Sequence, residues 1–235
     1  MTNEELEKRI KRGIEYRSMT MQVRIANEGE SEPYTVEGYA TTFEQEYPMG
    51  ECEMFRLFEK VDRNAFAGCD ESDVIMQYDH EGHVYARISN GTLKLEEDEH
   101  GKKIVAYLGG TEDGRKLYEE IKGGYTNKMS FGISVSEWAE EERTGADGKL
   151  EVIDIVKKIS KLWDVSAVSL PANDNTTISA RNRFNAEVEK RAAEVAEKEE
   201  SLKLAEEEKK HQAEIEKATQ EREKLALELE ISLSL

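Results

Sequence analysis

Apolar and polar residues alternate along much of the chain before residue 182, most clearly between residues 128 and 136. There Met129, Phe131, Ile133 and Val135 take every second position, and small polar residues or glycine take most of the others. This is the period of a β-strand with one buried face. A glycine inside such a strand marks a bulge or a close approach by another backbone. The segment therefore predicts a strand that lies against something close.

Further stretches have the alternation, or the β-branched and aromatic content, of strands. They cover residues 19–25, 34–41, 74–78, 93–97, 102–108 and 150–170. Residues 93–97 and 102–108 flank a short polar turn, so these two segments predict a β-hairpin. Residues 45–53 contain proline and glycine and predict a loop. Residues 53–61 fit either a strand or a helix.

Two helices follow from the remaining pattern. Thr111 is placed to cap a helix over residues 112–122, which the pair Gly123-Gly124 ends. From Phe184 onward the chain has no glycine or proline, and helix-forming residues dominate. The apolar seam of this second helix is interrupted at residues 206–210, which leaves two interpretations open. It is either a helix that needs partners or a single solvated helix with ion pairs along it.

These elements predict an α+β fold: a mostly antiparallel, β-barrel-like domain with few helices, followed by a long C-terminal helix. Three parts are expected along the chain. They are a charged arm over residues 1–15, a compact domain over residues 16–182 and a helical tail over residues 183–235.

Composition narrows the classes of partner. The net charge of −18 argues against nucleic acid or an anionic membrane. No stretch approaches 18 consecutive apolar residues, so the sequence predicts no membrane-spanning helix, and its first residues do not resemble a signal peptide. Cys52 and Cys69 are therefore expected to be reduced thiols.

Three residues suggest nucleophilic catalysis. A serine hydroxyl needs a neighbouring base and a third group that orients the base. Ser130 lies in the alternating strand, His80 follows a short apolar strand, and Asp164 is a charge within an apolar segment. Each also has a plain structural interpretation, as a solvated strand face, a strand end or a strand edge. The pair His80 and His83 could instead bind zinc, although their spacing specifies little and no cysteine lies at ligand spacing.

Four short motifs in this order resemble the prohead (capsid maturation) proteases of tailed bacteriophages, a family distantly related in fold to the herpesvirus assemblins. The likeness covers residues 16–182. The motifs are Val36-Glu37-Gly38-Tyr39-Ala40, Tyr78-Asp79-His80, Met129-Ser130-Phe131-Gly132 and the segment Asp164-Val165-Ser166-Ala167-Val168-Ser169-Leu170-Pro171-Ala172-Asn173.

The resemblance implies a serine endopeptidase with Ser130 as nucleophile, His80 as general base and Asp164 as third member, and with no cofactor or metal. Asp164 stands where the family usually has glutamate, so its carboxylate is one methylene shorter. The segment Asp62-Arg63-Asn64-Ala65 stands where Pro-Gly-Ala is common, and Ala86-Arg87 where Gly-Arg is common.

The implied function is cleavage of the major capsid protein or its scaffolding segment during assembly, inside the procapsid in the host cytoplasm. The protein is also expected to cleave itself within the exposed segment that follows Asn173 and to self-associate through its C-terminal helix. One alternative is an inactive scaffold or assembly chaperone that works through that helix. The other is a metal-dependent hydrolase that uses His80 and His83.

Overall fold

The structure is a computed structural model that describes residues 13–19, 24–25, 33–168 and 174–233. Its helices are α1 (Glu112–Lys122) and α2 (Asp174–Leu233), with a short 3-10 helix at Ile88–Asn90. Its strands are β1 (Glu15–Met19), β2 (Arg24–Ile25), β3 (Thr35–Thr42), β4 (Tyr47–Glu51), β5 (Phe55–Val61), β6 (Ile75–Tyr78), β7 (Glu81–Arg87), β8 (Leu93–Glu97), β9 (Gly101–Tyr107), β10 (Lys128–Thr144) and β11 (Leu150–Val168).

The larger sheet is organised around the long hairpin of β10 and β11. Its strand order is β1-β10-β11-β5-β4, and β6 pairs with β11 and with β7. β5 and β6 both run parallel to β11, β5 along its first part and β6 along its last. The remaining pairs of this sheet are antiparallel. The last part of β11 therefore lies between β10 and β6.

The smaller sheet has the order β2-β3-β9-β8, with antiparallel pairs throughout. One cluster of buried side chains includes residues from both sheets and from α1. Val36 and Ile104 come from the smaller sheet and Met76, Phe131 and Val165 from the larger one, and all five are fully buried. The alternating apolar residues of the sequence thus meet in a common core.

Several predicted elements are confirmed. Helix α1 spans Glu112–Lys122, and the side chain of Thr111 accepts a hydrogen bond from the Gly114 N–H at 3.0 Å. The hairpin of β8 and β9 forms at the predicted turn. Within residues 53–61, which fitted either element, Phe55–Val61 forms strand β5 with side chains alternately buried and half-buried.

The loop predicted for residues 45–53 is wrong, because Tyr47–Glu51 forms strand β4. β4 lies at the end of the sheet order and pairs with β5 alone among the described strands. Pro48 has no N–H to donate, but an edge strand tolerates it, and the register shifts between Pro48 and Gly50. The proline and glycine therefore mark an edge strand with a bulge.

The N-terminal strand differs from its prediction over residues 19–25. β1 begins earlier, at Glu15, and β2 covers only Arg24–Ile25. Most of the arm predicted for residues 1–15 lies outside the described residues. Glu15 is the first residue of β1, so strand structure begins within that range.

The α+β class is confirmed, with two β-sheets, a short helix and a long C-terminal helix. Over the described residues the strands form two separate sheets, and no closed barrel is found there. The barrel-like closure expected from the sequence is therefore not part of the observed fold.

Helix α2 begins at Asp174, ahead of the predicted start. By its contacts the chain divides into two units, Met1–Phe184 and Asn185–Leu235. In the second unit the large apolar side chains Leu202, Leu204 and Ile215 are exposed. None of the described helices has the length and apolarity that membrane crossing requires.

Candidate active site

His80 lies at the tip of the hairpin formed by β6 and β7. Tyr78 pairs with Glu81, so the turn between them has two residues, Asp79 and His80. Both have positive φ, 48° and 59°, as a type I′ turn requires, and both residue types enter this region more readily than most. The Asp79 N–H donates to the Ala167 carbonyl of β11 at 3.1 Å. The turn is thereby fixed against β11, and His80 is fully buried.

Ser130 and Asp164 lie on the two strands next to this turn. In the antiparallel register Ser130 of β10 faces Ser166 of β11, and Gly132 faces Asp164. Ser130 is fully buried, and Asp164 is 4% exposed. Alternation along the strands places Ser130 and Asp164 on the same face of the sheet.

A continuous chain of hydrogen bonds joins the three side chains. His80 Nδ1 is bonded to Asp164 Oδ1, and His80 Nε2 lies 2.6 Å from Ser130 Oγ. Because a carboxylate only accepts, Nδ1 carries the proton of that bond, and Nε2 of the neutral ring is an acceptor that faces the hydroxyl. The structure therefore brings together the three residues that the sequence singled out.

Ser166 and Gly132 complete the surroundings of Asp164. The Ser166 hydroxyl donates to Asp164 Oδ1 at 3.0 Å, so this oxygen has two donors. A Cβ atom on Gly132 would lie 2.5 Å from Asp164 Oδ2 and 2.9 Å from Tyr16 Cε1. The close approach that the glycine predicted is therefore made by side chains, and the absence of a side chain at Gly132 leaves the space for them.

Comparison with protein families supplies the identity. The model of the Caudovirus prohead serine protease family matches residues 19–191, more than half of the chain. The chain belongs to this family. It is therefore a serine protease of prohead maturation, a class of enzyme that acts on capsid or scaffold proteins. Comparison with the curated proteins gives no significant match, and comparison with the solved structures gives none either.

Family membership favours the peptidase over the inactive scaffold, since the family is one of enzymes. His80, Ser130 and Asp164 all lie within the matched range. The distant likeness to assemblins has no matching solved structure behind it and stays a prediction.

The pair of histidines proposed as a metal site does not form one cluster. The side chain of His83 is 73% exposed and faces Asp113 at 3.8 Å. The two ring nitrogens of His80 instead contact Asp164 and Ser130. In the described part of the chain, no three His, Cys, Asp or Glu side chains are grouped to hold a metal ion. The geometry of His80 thus matches a base beside a hydroxyl.

Sequence reasoning missed the residues that cover this prohead protease site. The Tyr16 ring of β1 packs on the His80 ring, with centroids 4.3 Å apart. The carbonyl oxygen of Arg17 lies 2.8 Å from Ser130 Oγ, where it competes with His80 Nε2 for the hydroxyl proton. Nothing local in residues 13–18 indicates that they contact the serine strand. Ser166 could have been found, because its spacing of two from Asp164 places both on one face of a strand.

Proposed function

We propose that Ser130 is the nucleophile, His80 the general base and Asp164 the orienting carboxylate of a serine endopeptidase that cleaves the major capsid protein or its scaffolding segment. The observation that carries the proposal is the hydrogen-bonded chain from Ser130 through His80 to Asp164. Such a chain meets the requirement of a weak hydroxyl nucleophile for an adjacent, fixed base.

The proposed reaction is acyl transfer in two halves. Ser130 Oγ bonds to the peptide carbonyl carbon while His80 Nε2 takes the hydroxyl proton. The C–N bond then breaks, and His80 gives that proton to the leaving amine. Water attacks the acyl-enzyme by the same route, so the carboxylic acid leaves and Ser130 regains its proton. Backbone N–H groups of β10 near Ser130 are the proposed donors to the oxyanion.

Asp164 holds the imidazole ring and stabilises its protonated form during each half. Its side chain is shorter than the glutamate common in the family. The type I′ turn brings His80 close to β11, and Ser166 supports the same carboxylate oxygen. These two features support Asp164 as the carboxylate that orients His80.

Helix α2 is proposed to bind either capsid-protein segments or a second copy of the chain during assembly. This assembly takes place in the host cytoplasm, inside the procapsid. The exposed Leu202, Leu204 and Ile215 support this role, since apolar side chains on a long helix are typical of helix pairing. The proposal also includes a fold likeness to herpesvirus assemblins and self-cleavage within the segment that follows Asn173. Helical structure from Asp174 onward means that such cleavage requires local unwinding.

A chelator separates serine chemistry from metal chemistry. We expect full-length protein to cut its cognate capsid protein into the same fragments, at the same rate, with and without millimolar EDTA, because no step of the proposed reaction uses a metal. The measurement is a time course on a denaturing gel. A zinc endopeptidase treated in parallel is the control for the chelator. Loss of cleavage in EDTA, restored by added zinc, would contradict the proposed mechanism.

A further inference from the structure

Strand β1 lies on β10 in the way that a bound peptide adds a strand to a sheet. It pairs antiparallel with β10, with Ser18 opposite Ser130 and Arg17 opposite Phe131. β1 is the terminal strand of the larger sheet beside β10. Without it, the N–H and C=O groups of β10 would form an open edge next to the reactive serine. Such edges bind extended peptides through main-chain hydrogen bonds.

The carbonyl of Arg17 lies against the Ser130 hydroxyl, the group that a substrate carbonyl has to reach. Ser130 Oγ lies 2.8 Å from the carbonyl oxygen and 2.6 Å from His80 Nε2. One hydroxyl has one proton, so the carbonyl competes with the base for it. Ser130 and His80 are also fully buried with β1 in place. A peptide substrate can therefore reach Ser130 only after β1 has left β10.

The side chain of Arg17 is held in a buried acidic pocket. Its Nε donates to Glu59 Oε1 at 2.6 Å, and its guanidinium carbon lies 5.9 Å from the centre of the Trp138 ring. Arg17 is 1% exposed, and Glu59 is fully buried. Burial by itself lowers the pKa of Arg17, but the charge and hydrogen bond of Glu59, together with the charge of Glu15, outweigh it and raise that pKa. The pocket thus holds a charged guanidinium.

Glu59 can also accept more hydrogen bonds than Arg17 donates to it. Its Oε1 accepts from Arg17 and from the hydroxyl of Tyr47. Its Oε2 is buried and has no hydrogen-bond partner among the described residues. Departure of β1 would remove the arginine and leave a buried carboxylate without its cation, which is unfavourable. The empty pocket would therefore attract a second cation, and a guanidinium matches the two carboxylate oxygens best.

We propose that β1 occupies the substrate-binding position, and that the pocket of Glu59, Tyr47 and Trp138 receives a basic side chain, preferably arginine, from the substrate residue whose carbonyl is attacked. This inference rests on the proposed role of Ser130 as nucleophile. It makes Glu59 a specificity-determining residue and β1 an internal competitor of the substrate.

The first test compares two peptides with full-length protein. One has the sequence of residues 14–19, Ile-Glu-Tyr-Arg-Ser-Met, and the other has citrulline, the neutral analogue, in place of arginine. We expect kcat/KM to be about a hundredfold higher for the arginine peptide, because the neutral group leaves the carboxylate uncompensated. Cleavage of both peptides with equal kcat/KM would overturn the inference.

Glu59→Gln tests the pocket itself. We expect it to abolish the preference, so that the two peptides are cut with kcat/KM values within about threefold of each other. The matched control is Glu37→Gln, the same chemical change at a half-buried glutamate of the smaller sheet that is ion-paired with Lys103. It should keep the preference. A preference that survives Glu59→Gln contradicts the inference, and if this variant does not fold, the wild-type ratio for arginine and citrulline decides.

A binding measurement separates this inference from the proposed function. The variant Arg17→Gln with Ser130→Ala loosens β1 and cannot react through Ser130. By fluorescence anisotropy it should bind the labelled arginine peptide about a hundredfold more tightly than the citrulline peptide. Arginine-selective binding without any cleavage by wild type would refute the role of Ser130 and leave the pocket standing. Equal binding of both peptides would refute the pocket, whether or not wild type cleaves.

Discussion

Ser130→Ala reduces cleavage of the capsid protein by about a millionfold, which is below detection on a gel. The reason is that the hydroxyl is the atom that bonds to the substrate carbon, and no neighbouring group replaces it. The small side chain of alanine fits the buried position, so the fold is retained. The measurement is a time course of capsid-protein fragments with wild type and variant at equal concentration.

The control is Ser136→Ala, six residues along the same strand. Its hydroxyl is bonded to the Lys158 carbonyl at 3.3 Å and lies on the exposed part of β10, so cleavage should be unchanged. The Ser130→Ala protein should also remain full length, because self-cleavage would use the same serine. A variant that still shortens on purification contradicts self-processing, and identical capsid fragments from both proteins contradict the role of Ser130.

Asp164→Asn should lower kcat by about 10⁴-fold with little change in KM. The asparagine amide can donate to His80 Nδ1, which favours the tautomer with its proton on Nε2. That nitrogen then cannot accept the proton of Ser130. The measurement is steady-state kinetics on the arginine peptide.

Two variants make this result specific. Asp154→Asn removes a carboxylate from the same strand without touching His80, and it should keep kcat near that of the wild type. Asp164→Glu restores the residue usual in the family and retains a carboxylate, so it should be more active than Asp164→Asn. Wild-type kcat in Asp164→Asn would show that the carboxylate does not orient the base.

The sequence predicted the elements whose pattern is local. Alternating apolar residues located β3 and β10, and Thr111 with Gly123 bounded α1. β4 was not predicted because Pro48 and Gly50 favour turns, and an edge position that tolerates them depends on the neighbouring strand β5. Closure of the strands into a barrel likewise depends on pairings that no local pattern encodes.

The same distinction applies to the site. Ser130, His80 and Asp164 could be selected because their chemical types and family motifs are visible in the sequence. The contact of Arg17 with Glu59 joins residues 42 positions apart, and a buried acid looks like any other acid of a strand until its partner is known. The domain boundaries predicted between residues 15 and 16 and between residues 182 and 183 stay predictions.

Covalent labelling of the serine tests the account most directly. Full-length protein treated with a fluorophosphonate should gain one adduct by intact mass, and peptide mapping should place it on Ser130. His80→Gln should react about a thousandfold more slowly, because general-base catalysis contributes factors of that order. An adduct on a different serine, or equal labelling rates in wild type and His80→Gln, would contradict the claim that His80 activates Ser130.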